Sequence, residues 1–198
     1  MMKVKFCGLK RPCDVLWANR LQPDYVGFVF AGRKRRISDL QARKLRNLLD
    51  RKIPAVGVFV NEPAEHIIRL VQKDIIQVVQ LHGQESQSYL TELKKQVSVP
   101  VIRAFSIHSA ADLEKAQKSP ADFVLLDNGA GGTGAAFDWS LFTSFDRPFF
   151  LAGGLRLDNI TKAISRFQPY ALDLSSGVET DGYKDKEKII AAVAAVRR

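Results

Sequence analysis

A chain of 198 residues and 22.1 kDa fits one domain and can bury a core without disulfide staples. With 46% hydrophobic and 26% charged residues it is neither a disordered nor a fibrous composition, and its longest apolar runs, such as 149–152, are far too short for a bilayer. The net charge of +9 leaves two classes of partner open, a nucleic acid or an anionic small molecule.

Short apolar, β-branched segments alternate with helical patterns along the chain. The first strand is expected at 4–7, and a short helix at 14–20 follows it. A strand at 25–30 leads to a helix at 38–51, where Ser38 is a candidate N-cap and Leu40, Leu45, Leu48 and Leu49 approximate one stripe. The strand at 55–60 is followed by a helix at 62–71, with Pro63 in its first turn and Ile67, Ile68 and Val71 on one side. Strands at 76–81 and 99–105 precede helices at 86–97 and 109–118, respectively. The strand at 123–127 is followed by a glycine-rich loop at 128–134, suited to closing over a ligand, and by a short helical pattern at 139–145. The last two strands, 148–152 and 170–174, precede helices at 155–167, with Asp158 as a possible cap, and at 185–196.

Eight such βα units predict a single α/β domain over 1–198, a (β/α)8 TIM barrel with a parallel sheet buried on both faces. An open doubly wound sheet is the competing arrangement. No G-x-G-x-x-G follows the first strand, where Cys7, Gly8, Leu9 and Lys10 stand, and the compactness of the units favours the barrel.

In such barrels chemistry belongs at the C-terminal strand ends. Those ends carry Cys7, the cluster Arg33, Lys34, Arg35 and Arg36, then Asn61, His82, Arg103, Asp127, Gly153 with Gly154, and Asp173 followed by Ser175, Ser176 and Gly177. The strings LAGGL and DLSSGVE at 151–155 and 173–179 follow strands seven and eight, where glycine backbone can approach a phosphate. Cys7 is either an inert small hydrophobe or, beside a cation, a thiolate base. Cys13 reads as core packing, and the C-x5-C spacing of these two cysteines suits neither zinc nor redox chemistry. Asp127 is either a helix cap or a site group, and the glycine-rich loop after it weighs against the cap. His82 reads as a polar contact; His66 and His108 read as surface residues, and no histidine spacing suggests a metal site. The N-terminal MMKVKFCGLK lacks the apolar core of a secretory signal, which with the free cysteines points to the cytoplasm.

Taken in order, VKFCGL at 4–9, DYVGFVF at 24–30, VGVFVNEP at 56–63, VQLHGQE at 79–85, LLD and GGTGAAFDW within 125–139, LAGGL and DNI within 151–160, and DLSSGVE and KDKEKI within 173–189 resemble the phosphoribosylanthranilate isomerases. The resemblance implies a (β/α)8 barrel and an Amadori rearrangement in tryptophan biosynthesis, with no cofactor and no metal. It implies Cys7 as general base and Asp127 as general acid. An arginine meeting the substrate carboxylate falls at Arg35 or, in another register, Arg36; Arg33 replaces a serine common in the family. His82 and Asp173 match polar residues of the site, and Gly153, Gly154, Ser175, Ser176 and Gly177 fall in the phosphate loops. A small-molecule substrate is thus the expected partner, with no nucleic acid or membrane, and a monomer or homodimer as the assembly. Another sugar-phosphate isomerase or lyase on the same barrel is the nearest alternative. A basic nucleic-acid module is the more distant one, and no binding motif interleaves the cations with aromatics.

Overall fold

The computed structural model describes residues 2–127, 142 and 145–197. Eight parallel strands close into a barrel: β1 (Lys3–Cys7), β2 (Tyr25–Val29), β3 (Ala55–Phe59), β4 (Val78–Leu81), β5 (Val101–Ser106), β6 (Phe123–Asp127), β7 (Phe149–Leu151) and β8 (Ala171–Leu174). Each strand pairs with the next, and β8 returns to β1 with Lys5 opposite Asp173. Around them, among the described residues, lie α1 (Pro12–Leu21), α2 (Asp39–Leu48), α3 (Ala64–Gln72), α4 (Gln87–Gln96), α5 (Ala110–Gln117), α6 (Ile160–Phe167) and α7 (Lys186–Val196). Between β8 and α7 the chain makes a 3-10 turn at Ser176–Val178 and a small antiparallel hairpin, β9 (Glu179–Thr180) and β10 (Tyr183–Lys184).

Alternation along each strand splits the core in two. Val58, Val78, Ile102, Leu125, Phe150 and Ala171 fill the barrel interior. Phe59, Leu81, Leu126 and Leu151 point outward and pack with Ile67, Leu70, Leu90 and Leu93 of the helices. Each large apolar side chain buried this way contributes about 1.5–3 kcal/mol. The N-terminal end of the barrel is closed by rings. Phe123 and Tyr170 stack at 4.9 Å, Tyr25 meets Phe150 edge-on at 5.5 Å, and Lys3 donates to the Tyr170 hydroxyl at 2.6 Å. Among the described residues these rings block that end and leave the C-terminal strand ends for a ligand.

All eight expected strands are present, with ends shifted by a few residues. Local chemistry explains the helix boundaries. Ser38 and Ser86 accept from the N–H groups of Gln41 and Tyr89 and start α2 and α4. Pro63 sits at the N-cap of α3 rather than inside its first turn. Asp158 does not cap α6: its side chain is exposed, and Asn159 takes the cap position while donating to the Gly154 carbonyl at 2.9 Å. Cys13 is half-buried rather than in the core. His66 is not a free surface residue, because its ring bridges Glu62 at 2.6 Å and Asp39 at 2.8 Å. The loop expected at 128–134 lies outside the described residues, as does the 139–145 pattern apart from Phe142 and Phe145, which pack on Phe149. No helix among the described residues is long and apolar enough to cross a membrane.

Asp185 ties the hairpin to α7. It accepts from the N–H groups of Glu187 and Lys188 and from the Thr180 hydroxyl at 2.7 Å. We expect Asp185→Ala to lower the unfolding free energy by about 1 kcal/mol, read as an earlier midpoint in urea; an unchanged midpoint would show that this cap does not hold the helix.

Candidate active site

A cavity of about 370 Å³ opens at the C-terminal ends of the strands, within the range of about 300–1,000 Å³ typical of small-molecule sites. Its floor and walls are Cys7, Gln80, His82, Asp127, Asp173 and Ser175; Arg33, Lys34, Arg35, Gly153, Gly154 and Ser176 complete it. Strand alternation delivers these groups. Cys7 shares the inward side of β1 with Lys5, Asp127 follows Leu125 on β6, Asp173 follows Ala171 on β8, and Gln80 follows Val78 on β4.

Cys7 has room because its partner on β2 is Gly27. A Cβ there would lie 2.8 Å from the Cys7 sulfur and 3.0 Å from its Cα. Burial pushes the Cys7 thiol above the ordinary cysteine value, and Asp173 adds to that rise. The Lys5 and Lys184 ammonium groups pull the other way without cancelling it. Lys5 is wholly buried, with its Nζ 2.8 Å from Asp173 Oδ2. Burial lowers its pKa, but Asp173 and Cys7 together hold it above the ordinary lysine value, so it is a cation at neutral pH.

Asp127 is buried at the end of β6, with its Oδ2 3.3 Å from His82 Nε2. Gln80 Nε2 lies 2.9 Å from His82 Nδ1. With Gln80 donating to Nδ1, the proton of the neutral imidazole sits on Nε2 and faces the carboxylate.

Arg35 reaches Glu179 with two parallel bonds of 2.7 Å, from Nε and Nη2. Glu179 also accepts from Lys184 at 2.6 Å, and Lys184 donates to the Ser175 carbonyl at 3.0 Å. Although burial opposes it, these two cations hold the Glu179 carboxyl below its ordinary value. Burial keeps Lys184 below the usual lysine range in spite of its pairing. The hairpin thus fixes the arginine whose side chain lines the cavity.

Gly153 and Gly154 adopt φ of +82° and +63°, a left-handed turn after β7. Gly177 packs so closely on the Leu155 carbonyl that any side chain would collide with backbone. The two glycine loops are consequently held side by side, and the 3-10 turn begins directly where Ser175 and Ser176 border the cavity.

The structure therefore gathers Cys7, Asp127, Arg35, His82, Asp173, Gly153, Gly154, Ser175 and Ser176 around one space. Arg36 is exposed and pairs through its backbone with Val29, and Gly177 packs behind the loop; neither lines the cavity. Two strand-end expectations fail. Arg103 lies within β5 and bonds Glu85 and the Gly83 carbonyl, and Asn61 accepts from the Gln84 N–H, so both belong to a neighbouring loop cluster. Lys5, Gln80, Glu179 and Lys184 were not singled out from sequence. The parity of Lys5 with Cys7, two residues apart in a strand, was the available signal. Among the described residues no group of three or more His, Cys, Asp or Glu is placed to hold a metal.

The family model described as N-(5'phosphoribosyl)anthranilate (PRA) isomerase matches residues 4–195. The chain is 48% identical to the N-(5'-phosphoribosyl)anthranilate isomerase of Endomicrobium trichonymphae, covering 100% of this chain and 99% of that one. The solved phosphoribosyl anthranilate isomerase of Thermus thermophilus superposes with a TM-score of 0.90 at 36% identity, over 99% of this chain and 98% of its own. A phosphoribosyl anthranilate isomerase solved with reduced 1-(o-carboxyphenylamino)-1-deoxyribulose 5-phosphate superposes at 0.88 with 34% identity, over 100% and 99% of the two chains.

Gly27→Ala should push the Cys7 sulfur out of place while leaving the barrel folded. A displacement of about 1 Å costs roughly 100-fold in turnover, so we expect a loss of that order with little change in melting temperature. Full activity in this variant would mean that the thiol position is not critical.

Proposed function

The chain belongs to the N-(5'-phosphoribosyl)anthranilate isomerase family, and we propose that Asp127 and Cys7 carry its reaction as an acid–base pair. The protein converts N-(5-phosphoribosyl)anthranilate to 1-(2-carboxyphenylamino)-1-deoxyribulose 5-phosphate, an Amadori rearrangement in tryptophan biosynthesis. The observation that carries the assignment of roles is the meeting of an inward thiol from β1 and an inward carboxyl from β6 in one cavity.

The reaction needs one proton delivered and one removed. Protonated Asp127 gives its proton to the furanose ring oxygen as the C1–O bond breaks, and the anthranilate nitrogen lone pair forms the C1=N bond. The Cys7 thiolate then takes the proton from C2. The C2–H electron pair becomes the C1=C2 bond of an enolamine, and the C=N electrons return to nitrogen. A proton moving from the C2 hydroxyl to C1 completes the ketone. His82 stabilises the Asp127 carboxylate once it has donated, through the Nε2–H that faces it.

The same cavity accounts for the rest of the substrate. The phosphate lies on the Gly153–Gly154 turn and at Ser175 and Ser176, where backbone N–H groups can approach it. Arg35 uses Nη1, the edge that Glu179 leaves, for the anthranilate carboxylate. Asp173 Oδ1, buried and without a protein partner among the described residues, accepts a sugar hydroxyl. Arg33 and Lys34 add positive charge at the entrance and favour the encounter with a doubly anionic substrate. The Thermotoga maritima relative, solved as monomers of a dimeric isomerase, supports both a homodimer and a monomer as assemblies for this chain.

Cys7→Ala and Asp127→Asn should each lower kcat by at least about 100-fold, measured by the loss of substrate fluorescence, with the fold intact by circular dichroism. Near-normal turnover in either variant would remove the role assigned to that residue. Because burial raises the thiol, the thiolate is scarce at neutral pH and becomes available as pH increases. The acid limb of kcat/KM should therefore lie above the ordinary cysteine value of about 8.5; a limb in the carboxylate range near 4 would contradict the base assignment.

A further inference from the structure

We propose that Lys5 is a positioning residue for the reaction: its buried ammonium, anchored by Asp173, holds a counter-charge against the Cys7 sulfur so that the thiolate can form inside the barrel. The proposal rests on the reading of Cys7 as the base. Three observations lead to it.

The first is parity. Lys5 and Cys7 are two apart on β1, so both side chains enter the barrel. Asp173 is the registered neighbour of Lys5 on β8, and their side chains meet at 2.8 Å. The Lys5 ammonium also acts on the Cys7 thiol through its charge and draws the thiol's pKa down against the effect of burial. The cation thus lies between its ion-pair partner Asp173 on β8 and the thiol two residues along its own strand.

The second is cost. Lys5 is 0% exposed in an interior filled largely by apolar side chains such as Val56, Val58, Ile102, Leu125 and Phe150. An ion pair in such a place is usually no more stabilising than apolar residues of equal volume. A purely structural demand at this position would be met by an aliphatic pair, whereas a thiolate needs a charge.

The third is the balance of neighbours. The charged groups that act on Cys7 are Lys5 from β1, Asp173 from β8, Lys184 from β10 and Arg35 from the loop after β2. Lys184 and Arg35 are already committed to Glu179, with bonds of 2.6 and 2.7 Å. Of these cations, Lys5 alone shares the strand and the inward side of Cys7, and its charge opposes burial more than any other neighbour does. Lys5 does not line the cavity, so it acts on the substrate only through other groups, Cys7 on its own strand and its ion-pair partner Asp173.

The test is the pH profile of Cys7 alkylation by iodoacetamide, followed on the whole protein in a Cys13→Ser background so that one thiol reports. Alkylation counts thiolate whether or not Cys7 takes the C2 proton, so this measurement stands apart from the turnover of Cys7→Ala. In Lys5→Met the alkylation midpoint should rise by at least about one pH unit, the size expected for losing an adjacent opposite charge. The acid limb of kcat/KM should rise with it, and kcat at neutral pH should fall about tenfold or more. Lys5→Arg should restore much of the midpoint. Since Lys5→Met leaves Asp173 buried and unpaired, Lys5→Met/Asp173→Asn provides a second, uncharged version of the site. Its midpoint should fall between those of the parent and Lys5→Met. A midpoint at or below the parent value in the double variant, or one unmoved in Lys5→Met, overturns the proposal and leaves Lys5 a structural ion pair.

Discussion

In a closed parallel barrel every strand residue points either to the axis or to the helices, and residues two apart share that choice. This parity governs the whole molecule. On β1 it turns Lys5 and Cys7 inward, while Val4 and Phe6 pack against the helical shell. On β6 it turns Leu125 and Asp127 inward with Phe123, and on β8 Ala171 and Asp173. Slipping β1 by one residue would bury its apolar positions correctly for neither layer and would carry the thiol out of the cavity. The fold and the site are thus set by one register, and residues 120 positions apart in sequence, Cys7 and Asp127, reach the same mouth.

Charge is then arranged in depth. The axis near the mouth holds the Lys5–Asp173 pair and the Cys7 thiol; the side holds Arg35, Glu179 and Lys184; the rim adds Arg33 and Lys34. The inner pair is desolvated and acts at full strength on its neighbours, while the rim charges are screened by salt within about 10 Å. Inner charges are therefore placed to tune protonation, and outer charges to attract an anionic substrate. The aromatic plug of Tyr25, Phe123, Phe150 and Tyr170 seals the opposite end, so this gradient faces a single entrance.

Much of this was legible in the sequence. The strands announced themselves by β-branched runs such as AVGVF, and the cap at Ser38 by a polar residue just before an apolar period. Cys7, His82, Asp127 and Asp173 stood at strand ends, where a barrel places its chemistry. What escaped notice depended on contacts across the chain. Lys5 looks like an ordinary charge in an alternating strand until β8 brings Asp173 beside it. Gln80 reads as a polar interruption of an apolar run until His82 folds over it. Glu179 and Lys184 acquire meaning only when the hairpin returns them to Arg35. Arg103 misled because the strand continues to Ser106 and turns that side chain outward.

The central claim is a division of labour, with ring opening assigned to Asp127 and C2 proton removal to Cys7. The primary isotope effect on kcat with substrate deuterated at C2 separates the two steps. In Cys7→Ser, proton abstraction becomes limiting and a large primary effect is expected. In Asp127→Asn, ring opening becomes limiting and the effect should fall towards unity. A large effect in the Asp127 variant with none in the Cys7 variant would contradict the account.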